Sequence, residues 1–259
     1  MNNQRIKFRT MLCFLVLALG GALTYGLYTY AWRAPEVDGL PAPFRAGLEA
    51  NAGFWKRFGG ERKSAPRREP KPGEKFRVNG DVGLEGPVDE KTWRLEVRAN
   101  DSDPAAKVLS LSMDDIRKLP RSMSSAEFRC IEGWSEPIAY AGVRFSDFVR
   151  ILGLGGRNGQ APNFSGAKPE ELYPYVALET PDGEYYVSLD MESMLHSQTI
   201  LAYELNGEPL SADNGAPLRL VVPVKYGIKS LKRIGKIYFS NQRPRDYWAE
   251  NGYDWFAGL

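Results

Sequence analysis

The chain divides by its pattern of apolar and polar positions into an uncharged apolar segment, a basic polar segment and a longer region of short alternating stretches. From Met11 to Trp32 no charged residue occurs, and about 20 apolar residues in a helix suffice to cross a bilayer. Basic residues precede this run, and Glu36 and Asp38 follow it. We therefore predict a basic segment over residues 1–10 and one transmembrane helix over 11–32, with the N-terminus in the cytoplasm and the rest of the chain outside.

A cleaved signal peptide is the alternative interpretation, because it shares the basic start. Signal-peptide apolar cores are about 7–15 residues long, whereas this one is longer and ends in aromatic residues typical of the membrane interface, which are Tyr25, Tyr28, Tyr30 and Trp32. No convincing small-residue cleavage site follows. We favour an uncleaved anchor in the lipid bilayer.

Residues 33–75 are rich in Pro, Gly, Arg and Lys. This composition buries little surface and predicts an extended linker. Its cations could contact anionic lipid headgroups, although a solvated spacer is an equal alternative. A short helix from about Phe44 to Phe58 is also compatible with the pattern.

Residues 76–259 show the alternation of a globular domain. Strands are predicted within 92–99, 125–133, 173–183, 184–190, 217–224 and 233–240, and helices within 112–120 and 144–154. Residues 191–210 are predicted to combine a short helix, an apolar strand and an Asn-Gly turn. The first of these helices has Ser112 as its cap and Pro120 as its stop. Short strands mixed with short helices, without regular βαβ alternation, predict an α+β domain with mixed or antiparallel sheets.

Composition excludes several classes of function. The formal net charge of +2 is too small to favour nucleic acid as a partner. The two cysteines are Cys13, inside the apolar run, and Cys130, and the single histidine is His196. A disulfide framework and a multi-cysteine or His-rich metal site are therefore excluded, so any metal chemistry must use few protein ligands.

Cys130 is the cysteine outside the apolar run, and it lies at the end of a predicted strand. By itself this is weak evidence, since an unpaired cysteine is most often a small buried core residue. Arg129 before it would favour a thiolate, and a turn at Gly133 would expose it. A nucleophilic pair with His196 is a further interpretation, for which no local signature is present.

Residues 214–232 favour a ligand site more strongly. They join a turn, a buried strand and a loop that carries, around Gly227, the residues Lys225, Lys229, Ser230 and Lys232. Lysines supply positive charge, serine a hydroxyl, and glycine lets backbone N–H groups approach, which together suit an anion such as a phosphate. A solvated basic face is the alternative.

Three stretches of the chain together resemble a known family. RCIEGWSEPIAYAGVRFSDFVRILG, YVALET and NGAPLRLVVPVKYGIKSLK are similar to the sulfite oxidase superfamily of molybdopterin-dependent oxidoreductases, and within it to the periplasmic branch of protein-methionine-sulfoxide reductase catalytic subunits. The resemblance runs from about Phe76 to the C-terminus. It implies a sulfite-oxidase-type fold, one molybdenum–molybdopterin per chain, and two-electron oxygen-atom transfer on a small or protein-bound substrate such as a sulfoxide.

The resemblance also implies roles for individual residues. Cys130 is expected to be catalytic and to ligate molybdenum through its thiolate, a soft ligand suited to such a metal. Expected contacts with the pterin cofactor fall on Asn79, Thr180, Asn214, Arg219, Ser230, Leu231 and Lys232. Tyr226 is expected as a catalytic donor at the mouth of the site. For Asn79 a plain turn is the alternative, and His196 is expected to be structural rather than catalytic.

Two departures from the family narrow the expectation. Sulfite oxidases follow the cysteine with a basic sequence, whereas Ile-Glu-Gly-Trp-Ser-Glu follows Cys130. This acidic and aromatic stretch would repel sulfite, and Trp134 could stack on a sulfur-containing substrate. The immunoglobulin-like and heme domains found in relatives are absent from the sequence, so a membrane cytochrome or another redox partner is expected.

A twin-arginine export motif is also missing. The expected location is nevertheless the inner membrane, single-pass, with the domain in the periplasm. Two alternatives stay open for the function. One is a cofactor-free binding or assembly module of the same fold, and the other is a sulfite-type oxidase marked by a basic patch around Arg129.

Overall fold

The computed structural model describes residues 3–37, 39–58, 64–71, 76–100, 102–157 and 171–258. The chain divides into two compact units, residues 1–60 with 250–252 and residues 61–249 with 253–259.

The first unit contains a long apolar helix. Helix α1 spans Asn3–Trp32, and its part Gln4–Trp32 is long and apolar enough to cross a membrane by length and composition. Strands β1 (Glu36–Val37) and β2 (Leu40–Pro41) then pair antiparallel.

The second helix of this unit, α2, spans Ala42–Phe58. Its Phe44 ring meets Trp32 edge to face, with the ring centroids 5.3 Å apart. The buried Arg45 donates from Nε to the carbonyl of Val37. Part of the region for which the composition predicted a linker is thus helical, as its alternative interpretation allowed.

The second unit is built on two sheets. The strands after residue 76 are β3 (Leu95–Arg98), β4 (Val108–Leu111), β5 (Arg121–Arg129), β6 (Ser135–Arg144), β7 (Tyr175–Glu179), β8 (Tyr186–Asp190), β9 (Ile200–Leu205), β10 (Glu208–Pro209), β11 (Arg219–Val221) and β12 (Lys236–Ser240). The helices are α3 (Met113–Arg117), α4 (Phe145–Leu152), α5 (Met191–Leu195) and α6 (Tyr247–Glu250). Short 3-10 helices span Ala212–Asn214 and Gly227–Lys229.

The first sheet has the order β10-β9-β6-β5, with β11 also paired to β9, and all its pairs are antiparallel. The second has the order β4-β3-β12-β7-β8, in which β12 and β3 run parallel and the other pairs antiparallel. This arrangement confirms the predicted α+β class with mixed sheets.

Local signals in the sequence account for several of these elements. At α3, the Ser112 side chain accepts from the backbone N–H of Asp115, and the Asp115 carboxylate accepts from Ser112 in return, so both ends of the capping box are present. Helix α4 buries Phe145, Phe148 and Val149 at helical spacing. The predicted hairpin forms as β7 and β8.

The main core contains buried side chains from strands of both sheets, among them Val97, Val143, Leu178, Leu220 and Phe239. Near it, β6 has an irregularity at Ala141 and Gly142 where it pairs with β9. A Cβ atom on Gly142 would lie 2.0 Å from the carbonyl oxygen of Leu201. This close approach of two backbones requires glycine.

Residues 64–71 run beside the edge strand β5. The Gln198 side chain bonds both backbone groups of Ala65, at 2.7 and 3.0 Å, and the Glu127 N–H donates to the carbonyl of Pro66. The contact with Pro66 occupies a backbone N–H of the edge strand that would otherwise be free to pair with another chain.

Candidate cofactor site

A cleft of about 250 Å³ opens in the second unit. Its walls come from the end of β5 and the turn after it, from β6, from the start of β11, and from the loop that precedes β12. The lining residues include Phe76, Arg77, Asn79, Gly80, Val82, Phe128, Cys130, Glu132, Trp134, Ile138, Tyr140, Tyr185, Asn214, Arg219, Ile228, Ser230, Lys232, Trp248 and Tyr253.

Cys130 lies where β5 ends, on a tight turn into β6. Its backbone N–H donates to the Trp134 carbonyl (2.9 Å), and its carbonyl accepts from Gly133 (3.1 Å). Gly133 has a φ of 91°, which glycine adopts at little cost. The Cys130 side chain is 8% exposed and lines the cleft. Its Sγ lies 3.8 Å from the Asn79 amide nitrogen.

Glu132 gives the mouth of the cleft a negative charge. Its carboxylate accepts from the Trp134 indole N–H (2.9 Å) and from the Asn79 amide (3.2 Å). These hydrogen bonds lower the pKa of Glu132, so it is ionised at neutral pH. The Arg77 guanidinium lies 5.2 Å from the centre of the Trp134 ring. An acidic and aromatic mouth therefore surrounds the thiol, as the sequence predicted.

Arg219 provides positive charge deep in the cleft. It is 4% exposed, and its two terminal nitrogens donate to the Tyr140 hydroxyl (2.9 Å) and to the carbonyls of Asn214 (3.0 Å) and Ser230 (3.2 Å). Its Nε atom has no hydrogen-bond partner among the described residues. A buried guanidinium bonded to neutral oxygens keeps a desolvated positive charge that an anion would stabilise.

Lys232 adds a second cation on the same side. Its ammonium donates to the carbonyls of Gly80 (2.8 Å) and Asp213 (2.7 Å). Burial, and then the positive charge of Arg219, lower the pKa of Lys232 to about 8. An anion bound between the two cations would reverse that shift, because it favours the charged form of both. The chemistry of these two side chains suits an anion such as a phosphate.

Nine residues were expected to be catalytic or to contact the cofactor. Six of them line this cleft, namely Asn79, Cys130, Asn214, Arg219, Ser230 and Lys232. The remaining three, Thr180, Leu231 and Tyr226, do not line it. Thr180 is buried, and its hydroxyl closes the turn between β7 and β8 by contacts with Asp182 and Tyr185. Leu231 lies in the core, and Tyr226 is partly exposed, with its backbone N–H bonded to the carbonyl of Ala257.

The expectation that Lys225 and Lys229 surround an anion is wrong. Both side chains are 1% exposed. The Lys225 ammonium donates to the Phe256 carbonyl (2.6 Å) and lies 3.5 Å from the carboxylate of Asp190. The Lys229 ammonium pairs with Asp246, inside the unit and away from the cleft. The loop composition could not show this, because the partners come from other parts of the chain.

Several aromatic residues of the cleft were missed in the sequence. Tyr185 lines it and donates from its hydroxyl to the carbonyl of Ile228 (2.6 Å), which ties β8 to the 225–232 loop. Burial raises the pKa of Tyr185, so the phenol stays protonated as a donor. Trp248 and Tyr253 also line the cleft. The aromatic-rich stretch DYWAENGYDWF was the available signal.

Two further residues can be assigned from their contacts. His196 follows α5 and accepts at Nδ1 from the Gln198 N–H (3.2 Å), a contact that fits its expected structural role. Arg129 pairs with Glu127 at 3.1 Å. Arg68 lies 3.5 Å from the same carboxylate, so one acidic side chain faces two arginines at this position.

The Cys130 thiol, the Asn79 amide beside it and the cations Arg219 and Lys232 all line one cleft on an α+β fold. This combination suits a ligand that joins a thiophilic metal to an anionic end. The chain belongs to the oxidoreductase molybdopterin binding domain family, whose model matches residues 83–248.

Two curated relatives illustrate the similarity. The chain is 35% identical over 171 residues to the putative protein-methionine-sulfoxide reductase subunit YedZ1 of Azospira oryzae, covering 66% of this chain and 58% of that protein. It is 32% identical over 193 residues to the protein-methionine-sulfoxide reductase catalytic subunit MsrP of Campylobacter jejuni, covering 69% and 60%. The chain thus spans less than two thirds of the length of these relatives.

Among solved structures, the sulfane dehydrogenase SoxCD of Paracoccus pantotrophus matches with a TM-score of 0.47 and 22% identity, over 61% of this chain and 40% of that one.

Proposed function

We propose that this chain is a membrane-anchored molybdenum–molybdopterin oxidoreductase that carries out two-electron oxygen-atom transfer, with reduction of a sulfoxide-like substrate as its activity. This proposal rests on one observation. The Cys130 side chain and two cations, Arg219 and Lys232, line the same cleft.

The residues of the cleft fit one molybdenum–molybdopterin per chain. Cys130 would supply the thiolate ligand to the metal, and Asn79 would orient a group beside it. Arg219, Ser230 and Lys232 would hold the phosphate end, where the orphaned Nε of Arg219 gains an acceptor. When bound, the cofactor supplies the two-electron oxygen-atom transfer, and the protein binds and orients it.

The mouth of the cleft favours a neutral, polarisable substrate over a small anion. Trp134 and Tyr253 present aromatic surface there, and the ionised Glu132 would repel sulfite. Aromatic faces stabilise sulfur-containing groups by contact. A sulfoxide, free or on a protein, meets these conditions, and the relatives named above are methionine-sulfoxide reductase subunits.

We further assign residues 11–32 as a single-pass anchor in the inner membrane, 33–75 as the connecting segment and 76–259 as the periplasmic cofactor domain. The apolar helix α1 and the basic residues before its apolar part support this topology. A membrane cytochrome is the proposed source of electrons. We also propose Thr180 and Leu231 as cofactor-binding residues and Tyr226 as a catalytic one. Their side chains do not line the cleft, so these roles require the bound cofactor to reach beyond the cleft walls.

The cofactor-free module is the second candidate. A cleft closed by side chains would have favoured it. The open cleft and the unpartnered Nε of Arg219 instead favour a bound ligand.

Molybdenum and pterin content of the purified full chain, made in a host with the cofactor pathway, tests the proposal. We expect near-stoichiometric molybdenum and pterin in the wild type, and loss or altered spectroscopy of the metal in Cys130→Ser. The matched control is Cys13→Ser, which changes the cysteine in α1. Reduction of methionine sulfoxide by a reduced dye would then be compared with oxidation of sulfite. Folded wild-type protein that contains neither molybdenum nor pterin would refute the proposed oxidoreductase activity and favour the cofactor-free binding module.

A further inference from the structure

One wall of the cleft is formed by a segment that we call the Asn79 segment, residues 76–86. Phe76, Arg77, Asn79, Gly80 and Val82 from this segment all line the cleft. Its greater part precedes residue 83, where the family match begins. The contacts of this segment with the rest of the chain hold this wall in place.

Asn79 itself contributes little to holding the segment. It is exposed, and its side-chain contacts are the Glu132 carboxylate at 3.2 Å and the Cys130 Sγ at 3.8 Å. Water competes for hydrogen bonds at such an exposed position, so the contact with Glu132 adds little to stability.

Arg233 makes the buried contacts to the same segment. It is 3% exposed, and one terminal nitrogen donates to the carbonyls of Glu85 (3.1 Å) and Gly86 (3.0 Å). Its backbone has a φ of 51°, an uncommon conformation for a residue other than glycine. Its Nε has no hydrogen-bond partner among the described residues. The buried guanidinium thus donates its hydrogen bonds to two backbone carbonyls of the segment.

Other contacts also hold the segment. The Arg77 backbone N–H donates to the Glu136 carboxylate (2.9 Å). Lys232 donates to the carbonyl of Gly80. Gly83 has a φ of 75° and lies so close to Thr180 that a Cβ atom would be 2.5 Å from its Cγ2. The segment therefore packs against the Thr180 side chain at Gly83.

We propose that Arg233 is a positioning residue that sets Asn79 against Cys130 by fixing the carbonyls of Glu85 and Gly86. This inference rests on the proposed function only in the test that reads the absorption of a metal bound at Cys130. Loss of the guanidinium leaves two carbonyls without their buried donor, and the segment gains freedom to move away from the thiol.

The first test measures amide hydrogen exchange over residues 80–86 in cofactor-free full chain by mass spectrometry. The protection followed is that of the Leu84 amide, whose N–H donates to the Asp81 carbonyl (2.9 Å). We expect Arg233→Met to speed exchange about tenfold or more, and Arg233→Lys to restore most of the protection. The matched control is Arg94→Met, because Arg94 is exposed and makes the same two-carbonyl contact, to Lys91 and Trp93. Unchanged protection in folded Arg233→Met would overturn the proposal.

A second variant changes the backbone at Gly86, whose carbonyl Arg233 binds, and leaves every buried side chain unchanged. Gly86 has a φ of 69° and open space around its Cα, so Gly86→Ala strains only the backbone. We expect it to speed exchange in the same residues. Gly207→Ala, at a similar φ of 86° with open space, is its control. Wild-type protection of residues 80–86 in Gly86→Ala would count against the proposal even if Arg233→Met failed to fold.

The third test uses molybdenum-loaded protein and the absorption band of the thiolate–metal bond. We expect Arg233→Met and Asn79→Ala to shift this band alike, and the double variant to shift it no further. Additive shifts, or a band unchanged in Arg233→Met, would overturn the positioning role. A wild type without molybdenum would instead refute the proposed function and leave the exchange test intact.

Discussion

Replacement of Asp246 by asparagine removes the charge that compensates a buried lysine behind the cleft. The side chains of Lys229 and Asp246 are 1% and 2% exposed and form an ion pair. The lysine also donates to the Ser188 carbonyl at 3.1 Å, and the carboxylate accepts from the N–H groups of Ser188 and Ala249. Because Lys229 directly precedes Ser230, the pair holds the loop that forms one wall of the cleft.

The expected cost follows from the burial of this pair. Removal of one partner of a buried ion pair costs about 3–5 kcal/mol, because the other charge is left uncompensated. For a domain of this size each kcal/mol lowers the unfolding midpoint by about 2–4 °C. Asp246→Asn and Lys229→Met should therefore each lower it by about 6–20 °C. The double variant should recover only part of this loss, because the N–H groups of Ser188 and Ala249 still lose a charged acceptor.

The stability of the Asp246→Asn variant should depend on pH. Burial lowers the pKa of Lys229, and loss of the carboxylate in Asp246→Asn lowers it further. Between that value and about 10.4 the unfolded chain binds more protons than the folded one, so the stability of this variant rises with pH.

Urea and thermal unfolding of the full chain in detergent, followed by circular dichroism from about pH 5 to about pH 9, would measure both effects. Arg150→Met is the control, since the Arg150 side chain that pairs with Asp147 is 58% exposed and the pair should contribute less than about 1 kcal/mol. A loss of under about 1 kcal/mol in Asp246→Asn, or a stability of this variant that does not rise with pH, would refute the reasoning.

Two smaller predictions concern the fold. Ser112→Ala removes the capping side chain of α3 and should cost about 0.5–2 kcal/mol in urea unfolding. An unchanged midpoint would show that the cap is dispensable. Gly142→Ala places a Cβ atom 2.0 Å from a β9 carbonyl oxygen, so it should cost about 3 kcal/mol or more, or prevent folding. Wild-type stability of that variant would contradict the close approach of β6 and β9.

The sequence by itself determined the elements whose signals lie within a few residues of each other. The capping box of Ser112 and Asp115 spans one helical turn, and the hairpin of β7 and β8 closes over a Pro-Asp-Gly turn. The α+β class followed from the succession of such elements. The motif around Cys130 and the spacing of Asn214 and Arg219 were also readable, because the residues that form each of them are near neighbours in the chain.

The tertiary structure decided which side chains of those motifs face the cleft. Lys225, Lys229 and Lys232 share one loop and one side-chain chemistry, yet only Lys232 lines the cleft. The other two meet partners that lie elsewhere in the chain.

The same holds for the walls of the cleft. Arg233 reaches Gly86 across 147 positions of the chain, and the aromatic residues of the C-terminal stretch come to the mouth through packing alone. Burial and charge compensation depend on which distant groups the fold brings within a few ångströms. A linear pattern records residue types and spacings, whereas the energies that assign a lysine to a core ion pair or to a ligand arise only from these long-range contacts.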